Sequence, residues 1–185
     1  MRTFIAIDLD APLKEKLESL VRELAPLAPN VRWVQGAGMH LTLKFLGETP
    51  DEKAAAIGEA LRSIAGRSPR FSLRLRELGA FPPGRRQPRI IWVGAHGGPP
   101  LAALQKDIES AAAGFGYEPE QREFHPHLTI GRVKFPGRMD RLLEEMAKQK
   151  ERDFGEMEAV RVTFFRSVLS PGGAEYSVLG EFSLI

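Results

Sequence analysis

Apolar positions recur along almost the whole chain with one of two periods, and these divide it into strands and helices. Alternation or short apolar runs predict strands at 2–8, 31–35, 40–46, 70–79, 89–95 and 126–133. Helical spacing predicts helices at 11–26, 51–65, 99–114 and 138–151. In the first helix Leu13, Leu17, Leu20, Val21 and Leu24 form one stripe, the layout of a helix laid over a sheet. A short extended piece is expected at 119–123. A β tail follows at 156–169 and 175–184, joined through the hairpin-like turn Ser170-Pro171-Gly172-Gly173. Strands and helices are mixed without strict alternation, so the fold class is α+β with antiparallel or mixed sheets.

The order of elements repeats. Displaced by 87 positions, Phe4-Ile5-Ala6-Ile7 falls on Ile91-Trp92-Val93-Gly94, and the helix from Pro12 to Leu24 falls on Pro99 to Ala111. The stretch Asp51 to Ala65 falls on Arg138 to Arg152, and the alternating stretch Phe71 to Arg76 falls on Glu158 to Thr163. Ungapped self-similarity of this kind points to one supersecondary unit used twice. The expectation is a single domain, 1–185, with an internal repeat of approximately 1–88 and 89–185. Its two pseudo-symmetric lobes each hold a mixed or antiparallel sheet with outer helices, and together they enclose a central cleft.

The repeat also superimposes two histidines set in the same His-Leu-Thr-aliphatic pattern, in His40-Leu41-Thr42-Leu43 and His127-Leu128-Thr129-Ile130. Side chains alternate along a strand, so each histidine shares a face with the following threonine while the aliphatic residues point the other way. Two facing imidazoles supply a general base and a general acid near neutral pH. Two threonine hydroxyls can donate hydrogen bonds to phosphate oxygens held between them.

These residues, together with Thr3-Phe4-Ile5-Ala6-Ile7, Arg32-Trp33-Val34, Lys44-Phe45-Leu46-Gly47, Phe81-Pro82, Pro88-Arg89-Ile90-Ile91-Trp92 and Gly131-Arg132, carry a resemblance over essentially the whole chain. It resembles the 2H phosphoesterases, named for paired His-x-Thr/Ser-x motifs. Within them it is most similar to the bacterial and archaeal RNA 2′,3′-cyclic phosphodiesterases, long called 2′-5′ RNA ligases. Relatives more often carry a proline and acidic or Asn residues where this chain has Gln35-Gly36-Ala37-Gly38-Met39. The resemblance implies two sheets flanking a cleft, with strands exchanged between lobes. It implies His40 as proton donor to a leaving 3′ oxygen, His127 as proton acceptor from water, and Thr42 and Thr129 on the phosphate. It also implies a phosphate contact for Arg132, with a structural salt bridge as the alternative. Strand parity puts Arg132 on the face opposite His127 unless the chain bends or bulges at Gly131.

The expected reaction is hydrolysis of RNA 2′,3′-cyclic phosphate ends to 2′-phosphomonoesters. The alternatives are 2′-5′ ligation, in which an RNA 5′-hydroxyl replaces water, and an RNA-end-binding module without catalysis. No Lys-Ser or Lys-Thr phosphate loop is present, so ATP use is not supported. His125 and His127 lack a carboxylate pattern around them, so no metal and no other cofactor is expected.

Composition narrows the rest. There are no cysteines, which excludes disulfides and thiolate chemistry. The lack of a long apolar run and of a signal layout makes a cytoplasmic protein the simplest expectation, with no membrane association and no obligate protein partner. Formal net charge is only +2, so distribution matters more than total. Arg85, Arg86 and Arg89 flank a Pro/Gly-rich loop, where they either meet RNA phosphates or merely solubilise it. Lys44 falls on the His40 face by parity and is a secondary substrate-contact candidate. His125 is expected at the rim and His96 in a loop. Phe4, Phe45 and Trp92 are expected mainly to pack in the core, with base stacking as the alternative.

Overall fold

The computed structural model describes residues 1–185. In chain order the elements are β1 (Arg2–Asp8), α1 (Ala11–Leu24), β2 (Val31–Trp33), β3 (His40–Glu48), α2 (Asp51–Ala65), β4 (Phe71–Phe81) and β5 (Ile90–His96). They continue with α3 (Gly98–Gly114), β6 (His127–Val133), α4 (Asp140–Lys148), β7 (Asp153–Ala159), β8 (Arg161–Ser170) and β9 (Gly173–Ser183). Local chemistry sets several boundaries. The Asp10 carboxylate accepts from the Leu13 amide at 3.0 Å, Pro12 sits in the first turn, and Leu13, Leu17, Leu20 and Leu24 are buried along α1.

Two antiparallel sheets result, ordered β3-β1-β8-β9 and β2-β6-β5-β4-β7. Neither lobe is one half of the sequence. The β1–β3 pair from the first half is completed by β8 and β9 from the second, and β5–β6 is completed by β4 and β2 from the first. The helices follow the same exchange. First-half α1 packs near β7, second-half α3 packs on β3, α2 covers β8 and β9, and α4 meets β4. A single apolar cluster of 39 residues therefore runs through both lobes, and it includes Leu41, Leu43, Leu128 and Ile130 from the two motif strands.

Two expectations are corrected. Residues 119–123 form no strand; the segment is held near β3 by the Glu118 carbonyl, which accepts from Lys44, and by the Glu120 amide, which donates to Glu109. The stretch 156–169 is two strands in different sheets, because the chain crosses over at Val160. Ala159 and Val162 are both buried on either side of that crossing. No helix is long and apolar enough to cross a membrane.

Candidate active site

The sheets approach each other along the two motif strands, β3 and β6, which come within 8 Å at Cα. On both strands the aliphatic residues of the motif, Leu41 and Leu43 or Leu128 and Ile130, are buried in the common core. The intervening His and Thr side chains therefore project from the opposite face, toward the cleft.

Each motif strand carries a β-bulge at the same place. Along β1, Ala6 pairs with Thr42 and Ile5 with Lys44, leaving Leu43 unmatched. Along β5, Trp92 pairs with Thr129 and Ile91 with Gly131, leaving Ile130 unmatched. An extra residue reverses parity beyond it. Two consecutive residues then face the core, Leu43-Lys44 and Ile130-Gly131, and the next residue returns to the cleft face. That residue is Phe45 in the first copy and Arg132 in the second, both exposed. The bulge supplies the bend that Arg132 requires to share a face with His127. Gly131 accommodates it, because a Cβ there would lie 2.9 Å from Val31 and 3.1 Å from the Trp33 ring.

The same bulge overturns the expectation for Lys44. It is 7% exposed and points away from the cleft, with its ammonium donating to the Glu109 carboxylate and, at 2.9 Å, to the Glu118 carbonyl oxygen. A charge buried by the parity change is thereby paired.

His40 sits in an aromatic box. Its ring stacks on Phe4 at 4.7 Å and Phe165 at 5.6 Å, and the Tyr176 ring meets it edge-on at 5.3 Å. Phe4 and Phe165 are buried in a small cluster separate from the main one, so Phe4 packs in the interior as expected and also walls the site. Gly38 lets Tyr176 approach, since a Cβ there would lie 2.8 Å from Val34 and 3.4 Å from the tyrosine ring. Burial pushes the His40 pKa down from 6.5 to about 4, opposed by the charge of Asp8 and reinforced by that of Lys14. Asp8 pairs with His40 across the β1–β3 ladder and holds Lys14 at 2.8 Å. The imidazole Nδ1 is buried with no hydrogen-bond partner, which leaves Nε2 as the ring's outward nitrogen.

His127 has a different setting. It is exposed, and its Nδ1 lies 2.7 Å from the carbonyl oxygen of His125. A carbonyl only accepts, so Nδ1 carries the proton and the neutral ring presents Nε2 as a lone pair. The Trp92 indole meets the ring edge-on at 6.3 Å and lies over Gly79, where a Cβ would be 2.2 Å away. Trp92 is thus a cleft-face residue instead of a core one.

The remaining candidates separate clearly. The His125 ring is exposed at the rim, 3.8 Å from Glu123, while its backbone oxygen orients His127. His96 ends β5 instead of lying in a loop, and its Nε2 is 3.6 Å from Glu77. Arg132 is exposed and stands opposite Arg32 of β2. Phe45 is 50% exposed, with the Arg2 guanidinium 4.9 Å over its ring. Sequence reasoning passed over Arg32, Phe165 and Tyr176 as site residues. Only strand pairing brings them to the cleft, and no local signal in the sequence marks them.

Comparison with known proteins agrees with this geometry. The sequence profile of the 2′-5′ RNA ligase superfamily matches residues 10–169. The RNA 2′,3′-cyclic phosphodiesterase of Methanocaldococcus jannaschii is 35% identical over 182 residues, spanning 98% of this chain and 100% of that protein. A crystal structure from Thermus thermophilus superposes with a TM-score of 0.86 at 27% identity, covering 100% of this chain and 98% of the other. Escherichia coli LigT complexed with 3′-AMP gives a TM-score of 0.78 at 28% identity, covering 99% and 97%. With paired motifs on facing strands and a matching profile over nearly its whole length, the chain belongs to the 2′-5′ RNA ligase superfamily, among the 2H phosphoesterases.

Proposed function

We propose that this protein, acting as a single 185-residue domain, hydrolyses the 2′,3′-cyclic phosphate end of RNA to a 2′-phosphomonoester, with no metal, nucleotide or protein partner. The observation that carries the reading is the projection of two His-x-Thr pairs into one cleft from different sheets, with aliphatic backs anchored in a common core. In-line displacement at phosphorus needs its two proton-transfer groups on opposite sides of the phosphate, and facing strands provide that.

In the proposed step His127 Nε2 takes a proton from water as its oxygen attacks phosphorus. The P–O3′ bond breaks, and the 3′ oxygen takes a proton from His40. The His125 carbonyl supports the first role by holding the His127 tautomer. His40 is neutral in the free protein, because its pKa is pushed down to about 4. A phosphodiester anion brought against the ring favours the imidazolium, so substrate binding itself charges the donor. Thr42 and Thr129 hydroxyls and the Arg132 guanidinium hold the non-bridging oxygens and stabilise charge in the transition state. Cytoplasmic location belongs to the same proposal, since the substrate is RNA.

The test is incubation with RNA ending in a 2′,3′-cyclic phosphate, in excess chelator and without nucleotide triphosphate, followed by product mapping. A 2′-phosphomonoester is expected. A 2′-5′ linked product would put ligation first, dependence on a divalent ion would remove the metal-free mechanism, and tight binding without turnover would leave an end-binding module.

A further inference from the structure

Beyond the motif strands, ladder register builds a continuous row across the cleft face of the second sheet. Phe81 pairs with Ile90, Ile90 with Arg132, and Arg132 with Arg32, across β4, β5, β6 and β2. Directly paired residues of an antiparallel ladder point to the same side. All four side chains therefore share the His127 face, one row beyond Thr129. Phe81, 48% exposed, stands at one end of the row and Arg132 and Arg32 at the other, with Ile90 between them and the Arg32 guanidinium donating to the Pro171 carbonyl at 3.3 Å.

The surrounding chain is charge-segregated. Segments 28–39, 81–90 and 130–139 carry one, three and three basic residues and no acidic residue, in a chain that holds 26 basic and 24 acidic residues. The fold brings these segments together. The Arg89 amide donates to the Phe81 carbonyl at 2.8 Å, the Val133 amide to Arg89 at 2.9 Å and the Lys134 amide to Asn30 at 2.9 Å. The Gln87 side-chain amide donates to the Gly137 carbonyl at 2.7 Å, tying the Arg85–Arg86 loop to the end of β6. One exposed edge thus combines concentrated positive charge with a solvent-facing aromatic ring.

We infer that this edge binds single-stranded RNA on the 5′ side of the reacting end, with phosphates along the arginines and a base on Phe81. Phosphate neutralisation and base–aromatic stacking are the two terms that hold single strands without reading sequence. The inference rests on the proposed RNA-end reading and adds to it a preference for oligonucleotides over mononucleotides.

The test compares a 2′,3′-cyclic mononucleotide with an oligoribonucleotide of about ten nucleotides ending in the same group, a length within a usual single-strand footprint. Phe81→Ala should raise KM for the oligonucleotide about 5- to 150-fold, the range expected for one lost base stack, while leaving mononucleotide KM unchanged. The Arg85→Ala/Arg86→Ala double variant, placed on an exposed loop, should weaken oligonucleotide binding. It should also flatten the slope of log affinity against log salt by about 0.7 for each lost phosphate contact. Equal effects on both substrates, or no effect on either, would overturn the inference. If the protein hydrolyses neither substrate, the catalytic reading fails, and fluorescence anisotropy with a labelled 3′-hydroxyl oligonucleotide still decides this one. Weaker binding by both variants supports it and unchanged binding overturns it. Competition by polyaspartate as effective as by RNA would also overturn it, in favour of an acidic protein.

Discussion

The two motif strands begin with the same tetrapeptide pattern, share a β-bulge at the same position, and end in opposite chemistry. In the first copy the residue turned inward by the bulge is Lys44, which needs Glu109 as a partner, and the residue turned outward is Phe45. In the second copy the inward residue is Gly131, which needs no partner, and the outward residue is Arg132. The histidines diverge likewise. His40 is stacked among Phe4, Phe165 and Tyr176, whereas His127 is exposed and tied to a backbone carbonyl. The two strands thus present matching His-x-Thr pairs, while neighbouring residues divide the cleft into an apolar side and a cationic side. The geometry is symmetric and the electrostatics are not.

The largest expected effects test the symmetric part. His40→Ala and His127→Ala should each lower kcat/KM by about 10²–10⁴-fold. The double variant should lose far less than the product of the two, because the groups act as one unit. A folded single variant with near-native turnover would break the equivalence of the two strands. Thr42→Ala and Thr129→Ala come next. Each should raise the barrier by about 2–4 kcal/mol if it donates one transition-state hydrogen bond. Similar losses in single-turnover rates would sharpen the equivalence.

Smaller effects test the asymmetry. Arg132→Gln should cost about 1.5–3 kcal/mol in binding a phosphate-terminated ligand, the worth of a charge-assisted hydrogen bond. Phe45→Leu at the matching position should leave the phosphate term alone. Titration calorimetry with inorganic phosphate would read the difference, and equal losses would refute the division of the cleft.

The setting of His40 should also show in the response to acid. The His40 pKa is lowered in the folded chain from 6.5 to about 4, so between those values the unfolded chain binds the proton and the folded chain does not. The stability this site lends is therefore full above about 6.5 and is lost as pH falls toward about 4. The full loss is about 3 kcal/mol at 1.36 kcal/mol per pKa unit. His40→Phe, which keeps the stack and removes the titration, should flatten that part of the urea-midpoint-against-pH curve, and an unchanged curve would show that burial does not suppress the cation. In wild-type protein, a nucleoside monophosphate should raise the His40 titration midpoint seen by NMR, and no shift would remove substrate-linked charging of the donor.

Much of this was legible in the chain. Every helix and most strands follow from apolar periodicity, because burial of a helix stripe or a strand face is enforced residue by residue along the local sequence. The shared face within each motif was legible for the same reason, since a two-residue period puts His40 with Thr42 and His127 with Thr129. Where that period fails, at Leu43 and Ile130, the reading of Lys44 failed with it, and Arg132 required the bend to be supplied.

By itself the sequence determined the type and approximate placement of most elements and the composition of the paired motifs, all of which depend on short-range patterns. Only the tertiary structure decided that the halves exchange strands, that a bulge interrupts each motif strand, and that Phe4, Phe165 and Tyr176 enclose His40 while Arg32 stands beside Arg132. Those outcomes depend on ladder register between segments far apart in the chain. Register between such segments follows from which faces the common core buries, and no local period marks where a bulge interrupts it.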